Sequence, residues 1–374
     1  MLYKEEYLNE ISFPLGGIGT GCIGLAGNGS LIDWEIFNRP SKGSTNGASH
    51  FAVKAIGQDK ITTKVLMGDV YKELSGRFGS GSGFGNGLNS CTMAGFPHFR
   101  NVLFDGEFPI ATVKFTDEDF PAEITLTAFN PFIPLDDQNS SIPAAFFELD
   151  IENNTETELE YQIALSMQNP FPVCQNSAHK CEDITYISLQ NTGAEENQIG
   201  YGDLTIATDA SNATTQCYWY RGGWGNSINT YWNEFNSAEE MPERIYETQK
   251  GHDYATLIAK LHLQAQTHEK VRFLLSWNIP NDYNYWSEYK DENGQDVSWK
   301  NYYATIFQNS TESALYAIKN WDMLFARTKQ FKDAIHGMSL DPVVIDAITS
   351  NLSVLKSPTV LRVEDGTLWG WEGV

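Results

Sequence analysis

Across residues 11–277 the apolar positions fall in short runs of β-branched and aromatic side chains, closed off by Gly, Pro, Asn and Asp. Runs with a period of two, bounded by turn residues, predict strands rather than helices. Residues 144–151 and 159–165 flank the polar segment 152–157 and predict a hairpin. Residues 255–263 and 271–277, joined through a polar segment around Gln266 and Lys270, predict a second pair. Many antiparallel strands, each needing to bury one face, are accommodated by packing sheet on sheet, so the pattern predicts a mainly β fold, a large antiparallel β-sandwich.

After Ser310 the period changes. Ala314, Ile318, Trp321, Phe325, Thr328 and Phe331 or Lys332 recur every three to four positions with no proline before Gly337, which predicts one long amphipathic helix ending at that glycine. Asp341 before Pro342 is a capping carboxylate ahead of a proline at the first helical position, and Val344, Ile345, Ile348, Leu352 and Leu355 line one side of the helix that follows. Two such helices cannot bury each other completely. The face carrying Ile318, Trp321, Phe325, Ile345, Ile348 and Leu352 is therefore expected to await further helices, and the end of the chain to be a truncation. The organisation expected is a sandwich over 1–308, then a linker helix and the start of a helical domain over 309–374.

The chain has 374 residues, 41% hydrophobic and 20% charged, which is globular composition with enough apolar residues for a sizeable core. Its 48 acidic and 25 basic side chains leave a net charge of -23, so the average surface repels polyphosphates and anionic membranes, and nucleic acid is not an expected partner. Cys22, Cys91, Cys174, Cys181 and Cys217 show neither a C-x-x-C pair nor zinc-type spacing, and the seven histidines form no metal-binding motif, so neither a disulfide framework nor a metal or cofactor is expected. The first residues lack a basic run followed by an apolar stretch, and no window reaches the length of a membrane span; a cytoplasmic protein without membrane insertion is expected. Asn-x-Ser/Thr sequons at Asn28, Asn139, Asn153 and Asn212 are accounted for by chance in an Asn-rich chain.

Several segments could carry chemistry. Gly19, Gly21 and Gly24 match a dinucleotide fingerprint formally, but the glycine-broken segment 25–30 cannot open the helix that the phosphate site requires, which leaves tight turns at the start of a sheet. Asp33 and Glu35, two apart on a strand, project from the same face; an ion pair with Arg39 or a solvated strand face explains them better than a catalytic pair, whose carboxyls must lie on opposite sides of a sugar. The glycine-dense segment 76–87 reads as a mobile surface connection, with a lid or contact loop as the other possibility. Tryptophans beside Tyr or Gly, at 218–224 and 283–286, could stack on sugars, although aromatics in a sandwich are usually core.

Taken in order, FPLGGIGTGCIG at 13–24, DWEIFNRP at 33–40, FDGEFP at 104–109, FNPFIP at 129–134, NSSIP at 139–143, LSWNIPN at 275–281, KNYYA at 300–304 and DGTLWGWEG at 365–373 resemble glycoside hydrolase family 116, which includes the bile acid β-glucosidase or non-lysosomal glucosylceramidase, along the entire chain. The resemblance implies an N-terminal β-sandwich followed by the first helices of a truncated (α/α)6 barrel. It implies a retaining hydrolase of β-glucosides, glucosylceramide-like or otherwise β-linked, with a glutamate nucleophile and an aspartate acid/base. Both are expected C-terminal to the position of Gly373, so no catalytic residue is expected within this chain, which alone should be inactive. The carbohydrate substrate would be met through the missing domain. Trp369, Trp371 and Glu372 fall where the chain should approach the sugar pocket and are candidate lining residues. The alternative is a free-standing sandwich that binds carbohydrate or protein without catalysis.

Overall fold

The computed structural model describes residues 2–69, 92–287, 289–294 and 296–370; the glycine-dense segment 76–87, Trp371 and Glu372 lie outside the described residues. Two antiparallel sheets dominate. The larger has nine strands, in the order Leu2–Tyr3, Asn101–Asp105, Ile110–Thr116, Glu123–Phe129, Ala144–Glu152, His268–Asn278, Asp203–Thr208, Ile184–Asn191 and Cys174–Cys181. The smaller has five: Ala213–Gln216, Tyr254–Leu263, Leu159–Gln168, His50–Ile56 and Ile61–Val65. Their inner faces meet in one core, where Phe51 of the smaller sheet packs edge-on against Phe147 and Phe273 of the larger at 5.2 and 5.6 Å. The sandwich is therefore present.

The two expected hairpins are not. Ala144–Glu152 pairs with His268–Asn278 in the larger sheet, and Leu159–Gln168 pairs with Tyr254–Leu263 in the smaller. Each polar connection is thus an arch that carries the chain from one sheet to the other. The reason lies at the arch itself: Asn153, fully buried, donates through Nδ2 to the carbonyls of Thr157, Leu263 and Gln264 at 2.9, 3.2 and 3.0 Å, and its N–H donates to Thr267 O at 2.9 Å. This side chain laces the two arches together and satisfies carbonyls that a hairpin ladder would have paired.

Five α-helices occur among the described residues: α1 (Asn226–Phe235), α2 (Tyr303–Ile306), α3 (Ser310–Lys319), α4 (Trp321–His336) and α5 (Pro342–Leu352). None is long and apolar enough to cross a membrane. The single long helix expected after Ser310 is two. Asn320, with φ −105° and ψ 10°, leaves helical geometry, and its Nδ2 bonds back to Tyr316 O at 2.8 Å. Asn309 caps α3 through Glu312 N, and Asp341 caps α5 through Val343 N as its sequence foretells.

The α3 and α4 part of the helical face expected to lack partners has one. Ala314, Ala317, Ile318, Trp321 and Leu324 are buried against Ile110, Phe129, Ala144, Phe146 and Leu274 on the outer face of the larger sheet. Trp321 lies 4.9 Å from Phe146 and 5.5 Å from Phe129, with the Arg272 guanidinium 5.2 Å from its ring. Beside this apolar patch runs a polar seam. Ser313 Oγ meets Ser276 Oγ at 2.6 Å, Ser310 Oγ meets Thr205 Oγ1 at 2.7 Å, and Asp203 accepts from Ser310 N at 3.0 Å and from its hydroxyl. α5 keeps an exposed apolar side, at Val343, Val344 and Ile348. The turn after it is anchored by Lys356, whose buried ammonium donates to Gly16 O, Pro131 O and Asn130 Oδ1; burial holds its pKa well below the usual lysine range.

The glycine-rich start behaves as turns. Ser12–Leu15, Cys22–Ala26 and Leu31–Glu35 form a three-stranded antiparallel sheet with no helix after the glycines. Gly21 has φ 72°, and a Cβ there would lie 2.2 Å from Glu35 O, so both its backbone angle and the space require glycine.

Two outcomes follow. Trp321→Ala should cost about 3–5 kcal/mol, the range for deleting a buried large aromatic, read as a lower urea midpoint at an unchanged denaturant slope. Burial raises the Asp203 carboxyl to about 6, against hydrogen bonds from Ser310 that lower it. Because the folded value lies above the unfolded one, the associated stability is complete below pH ~4 and is lost as pH rises through about 6. Melting temperatures across pH 4–7.5 should therefore fall less for Asp203→Asn than for the native chain.

Candidate functional site

Asp33 and Glu35 are both buried, and every one of their four oxygens is used. Asp33 accepts from Ser12 Oγ and Gly43 N, each at 2.6 Å; Glu35 accepts from Ser41 N and Lys42 Nζ, each at 2.9 Å. Lys42 also stands 3.6 Å from Asp33. The expected ion pair with Arg39 is thus made by Lys42 instead, and the strand face is not solvated. Asp33 has φ 48°, which bends the strand toward the loop carrying Ser41, Lys42 and Gly43. Two carboxylates converging on one cation clamp this loop. Cys22, 3.8 Å from Glu35, is pushed up by burial and then by the Glu35 charge, so it stays a thiol.

Arg39 is exposed and turns the other way. Its guanidinium lies 5.6 Å from the Tyr283 ring and 5.1 Å from the Tyr285 ring, and Nη2 donates to the Tyr283 hydroxyl at 3.1 Å. Tyr283 belongs to the short strand Asn281–Tyr283, which continues directly from the longest central strand and pairs with Ser298–Lys300. In that ladder Asp282 stands directly opposite Trp299, so the two side chains share a face. Trp299 packs against Trp369 at 5.4 Å and faces Trp286 at 6.5 Å, and Trp286 meets Tyr285 edge-on at 5.2 Å. The result is a chain of rings beside Arg39. Trp369, a sequence candidate, is therefore part of an aromatic surface, on the strand Leu368–Gly370, and is 44% exposed.

The carboxylate in this surface is unusual. Asp282 is 2% exposed and lines a cleft of about 370 Å3 with Asn38, Arg39, Phe171, Asn281 and Tyr283. Its Oδ1 accepts from Tyr283 N at 2.7 Å, while its buried Oδ2 has no partner among the described residues. Burial raises its pKa to about 7, although Tyr283 N and Arg39 lower it. The Trp299 indole N–H is likewise buried and without a partner among the described residues. Asp282 Oδ2 and Trp299 Nε1 are thus an acceptor and a donor on one face of the ladder, each without a partner among the described residues.

The segment 283–286 thus supplies surface aromatics, whereas 218–224 divides. Trp219 is core, stacked between Tyr231 and Tyr254 at 4.0 and 4.3 Å, while Trp224 is fully exposed. Asp282 and Trp299 were not singled out in the sequence; the KNYYA segment begins at Lys300, the last residue of the strand that bears Trp299, but nothing local in sequence marks its register against Asp282. No group of His, Cys, Asp and Glu able to hold a metal occurs among the described residues.

Comparison with known proteins adds the family. No curated protein matches the chain. Among solved structures, a polysaccharide lyase is similar at 9% identity with a TM-score of 0.34, over 71% of this chain and 32% of that one. A chain described as a kojibiose phosphorylase from human microbiome is similar at 9% identity with a TM-score of 0.33, over 90% of this chain and 31% of that one. This chain spans about a third of the length of either. The model for the N-terminal region of glycosyl-hydrolase family 116, beta-glucosidase 2, matches residues 12–324, from the first strand of the glycine-rich sheet into the first turn of α4, and the chain belongs to that family.

Proposed function

We propose that the chain is the N-terminal part of a retaining glycoside hydrolase acting on β-glucosides, with its catalytic glutamate and aspartate outside the described residues. The observation that carries this is the family match across the sandwich and the first helices packed on it. The domain division follows from the same reading: a sandwich over 1–308, then helices that begin an (α/α)6 barrel over 309–374, with α3 and α4 serving as the layer between them. A retaining mechanism needs two carboxyls about 5–5.5 Å apart on either side of the scissile bond. Asp33 and Glu35 do not meet that need, since both are consumed by the Lys42 clamp. Trp369, on the aromatic surface, and the sequence candidates Trp371 and Glu372 are assigned in this reading to the lining of the approach of the sugar.

A non-catalytic carbohydrate-binding sandwich is the second reading, favoured by the open donor and acceptor beside exposed rings. It differs from the first in what a longer chain would do, and not in the partner, which is a neutral glycoside in both. The purified chain should hydrolyse an aryl β-glucoside no faster than buffer. Turnover that disappears with Glu372→Gln would place a catalytic carboxylate inside this chain and overturn its assignment as a lining residue.

A further inference from the structure

The ladder of Asn281–Tyr283 with Ser298–Lys300 is only three residues long on each strand, and its two ends are held differently. Its base is fastened to the sandwich. Asn281 Nδ2 donates to Glu196 O and Gln198 O, each at 2.8 Å, and Asn38 Nδ2 donates to Asn281 O at 2.9 Å. Just past the partner strand, Asn301 donates through its N–H to Pro280 O at 2.9 Å and through Nδ2 to Asn38 Oδ1 at 2.8 Å. Tyr302 N donates to Arg362 O at 2.9 Å, which ties this base to the strand Val360–Arg362 and, through its ladder, to Trp369. One step out, Asp282 opposite Trp299, the fastening is poorer. Asp282 Oδ1 accepts from Tyr283 N, but Oδ2 and Trp299 Nε1 are buried without a hydrogen-bond partner among the described residues. Two strands by themselves are marginal, so one buried side chain can decide whether the outer pairs stay closed.

The protonation of Asp282 is that decision. A neutral carboxyl here leaves one polar atom open, whereas a buried carboxylate with a single N–H donor is an uncompensated charge and costs more. Arg39 favours the charged form, but its guanidinium is held over the Tyr283 and Tyr285 rings at 5.6 and 5.1 Å. Tyr285 and Tyr303 feel the Asp282 charge and offer no cation in return. Lys300, beside Trp299 on the partner strand, alternates to the other face. Burial therefore outweighs Arg39 and raises the Asp282 pKa to about 7. The folded value lies above the unfolded one of ~4, so the closed ladder is favoured at low pH and loses that advantage as pH rises through about 7.

We propose that this ladder is a pH-sensitive clasp: with Asp282 neutral it stays closed and holds Trp299 against Trp369, and with Asp282 ionised its outer pairs part about the base at Asn281 and Asn301, bringing the carboxylate to water. Trp299 then leaves its place 5.4 Å from Trp369, which remains on the strand supported by Arg362. The clasp does not depend on the proposed function. Where that reading also holds, a carboxylate with no catalytic part sets the packing of a ring on the sugar's approach.

The test labels the whole chain with fluorotryptophan and follows fluorine resonances from about pH 5 to 9, a range that brackets the transition. Those of Trp299, Trp369 and the core ring Trp219 are assigned by their loss in Trp299→Phe, Trp369→Phe and Trp219→Phe. The expected result is a shared shift of Trp299 and Trp369 with one midpoint near 7, while Trp219 stays fixed. Asp282→Asn keeps the acceptor for Tyr283 N and mimics the neutral carboxyl, so it should fold and show no transition at either ring; Asp282→Ala should show none either. Asp203→Asn should leave the transition in place. The clasp is overturned if neither ring shifts in the native chain, if the transition persists in an Asp282 variant, or if Asp203→Asn abolishes it. Failure of Asp282→Asn to fold at pH 5 would also overturn it, since the neutral side chain is the closed form. Movement of Trp219 with the same midpoint would replace the clasp with global unfolding. None of these outcomes bears on the family assignment.

Discussion

A sheet that is apolar on one face needs one covering layer; the larger sheet here is apolar on both faces along half of its central strands, and two layers must meet it. Ala145, Phe147, Leu149 and Ile151 face the smaller sheet, while Ala144 and Phe146 face α3 and α4. Beyond Phe147 the outward positions become Glu148, Asp150 and Glu152, and the helices no longer cover them. This two-sided burial fixes where the helices lie, and the helices in turn bring the segment after α5 back to the sandwich, where Lys356 and Arg362 are held. Arg362 stacks 3.5 Å from the Tyr302 ring and reaches Ser141 and Asp137, so the strand that precedes Trp369 is located from three sides. The aromatic surface inherits its geometry from that chain of supports.

Much of the fold is legible in the residues. Alternating apolar runs between turn residues identify the strands, and Asp341 before Pro342 marks the start of α5 to the residue. The family is legible too, through a series of short motifs in order. What failed was pairing. A polar connection between two alternating strands looks alike whether it turns within a sheet or arches between two, and the difference rests on Asn153 reaching carbonyls more than a hundred positions away. The expectation of an unpartnered helix face failed at α3 and α4 for a related reason: the four apolar residues opening Ala144–Glu152 record burial on both faces, but they do not name the covering layer.

The site was legible only in part. Trp369 belongs to an aromatic surface, and the 283–286 run supplies two of its rings. Asp33 and Glu35 are held by Lys42 rather than by Arg39, whose guanidinium turns instead to Tyr283 and Tyr285. Asp282 and Trp299 could not be found from sequence, since their relation exists only through the register of a ladder closed across an intervening excursion.

The arches have a consequence for how the chain reaches this structure. The central pair of the larger sheet joins Ala144–Glu152 to His268–Asn278, and that of the smaller joins Leu159–Gln168 to Tyr254–Leu263, so neither can zip up from a nearby turn. Both pairs wait for the same long closure, and the entropy of that closure must be met before either ladder returns any stabilisation. The two sheets are therefore coupled in time: aligning one pair brings the other into reach through the lacing at Asn153. Until that moment strands destined for burial on both faces stand open, which makes slow assembly and vulnerability to self-association inherent in the topology rather than in any one residue.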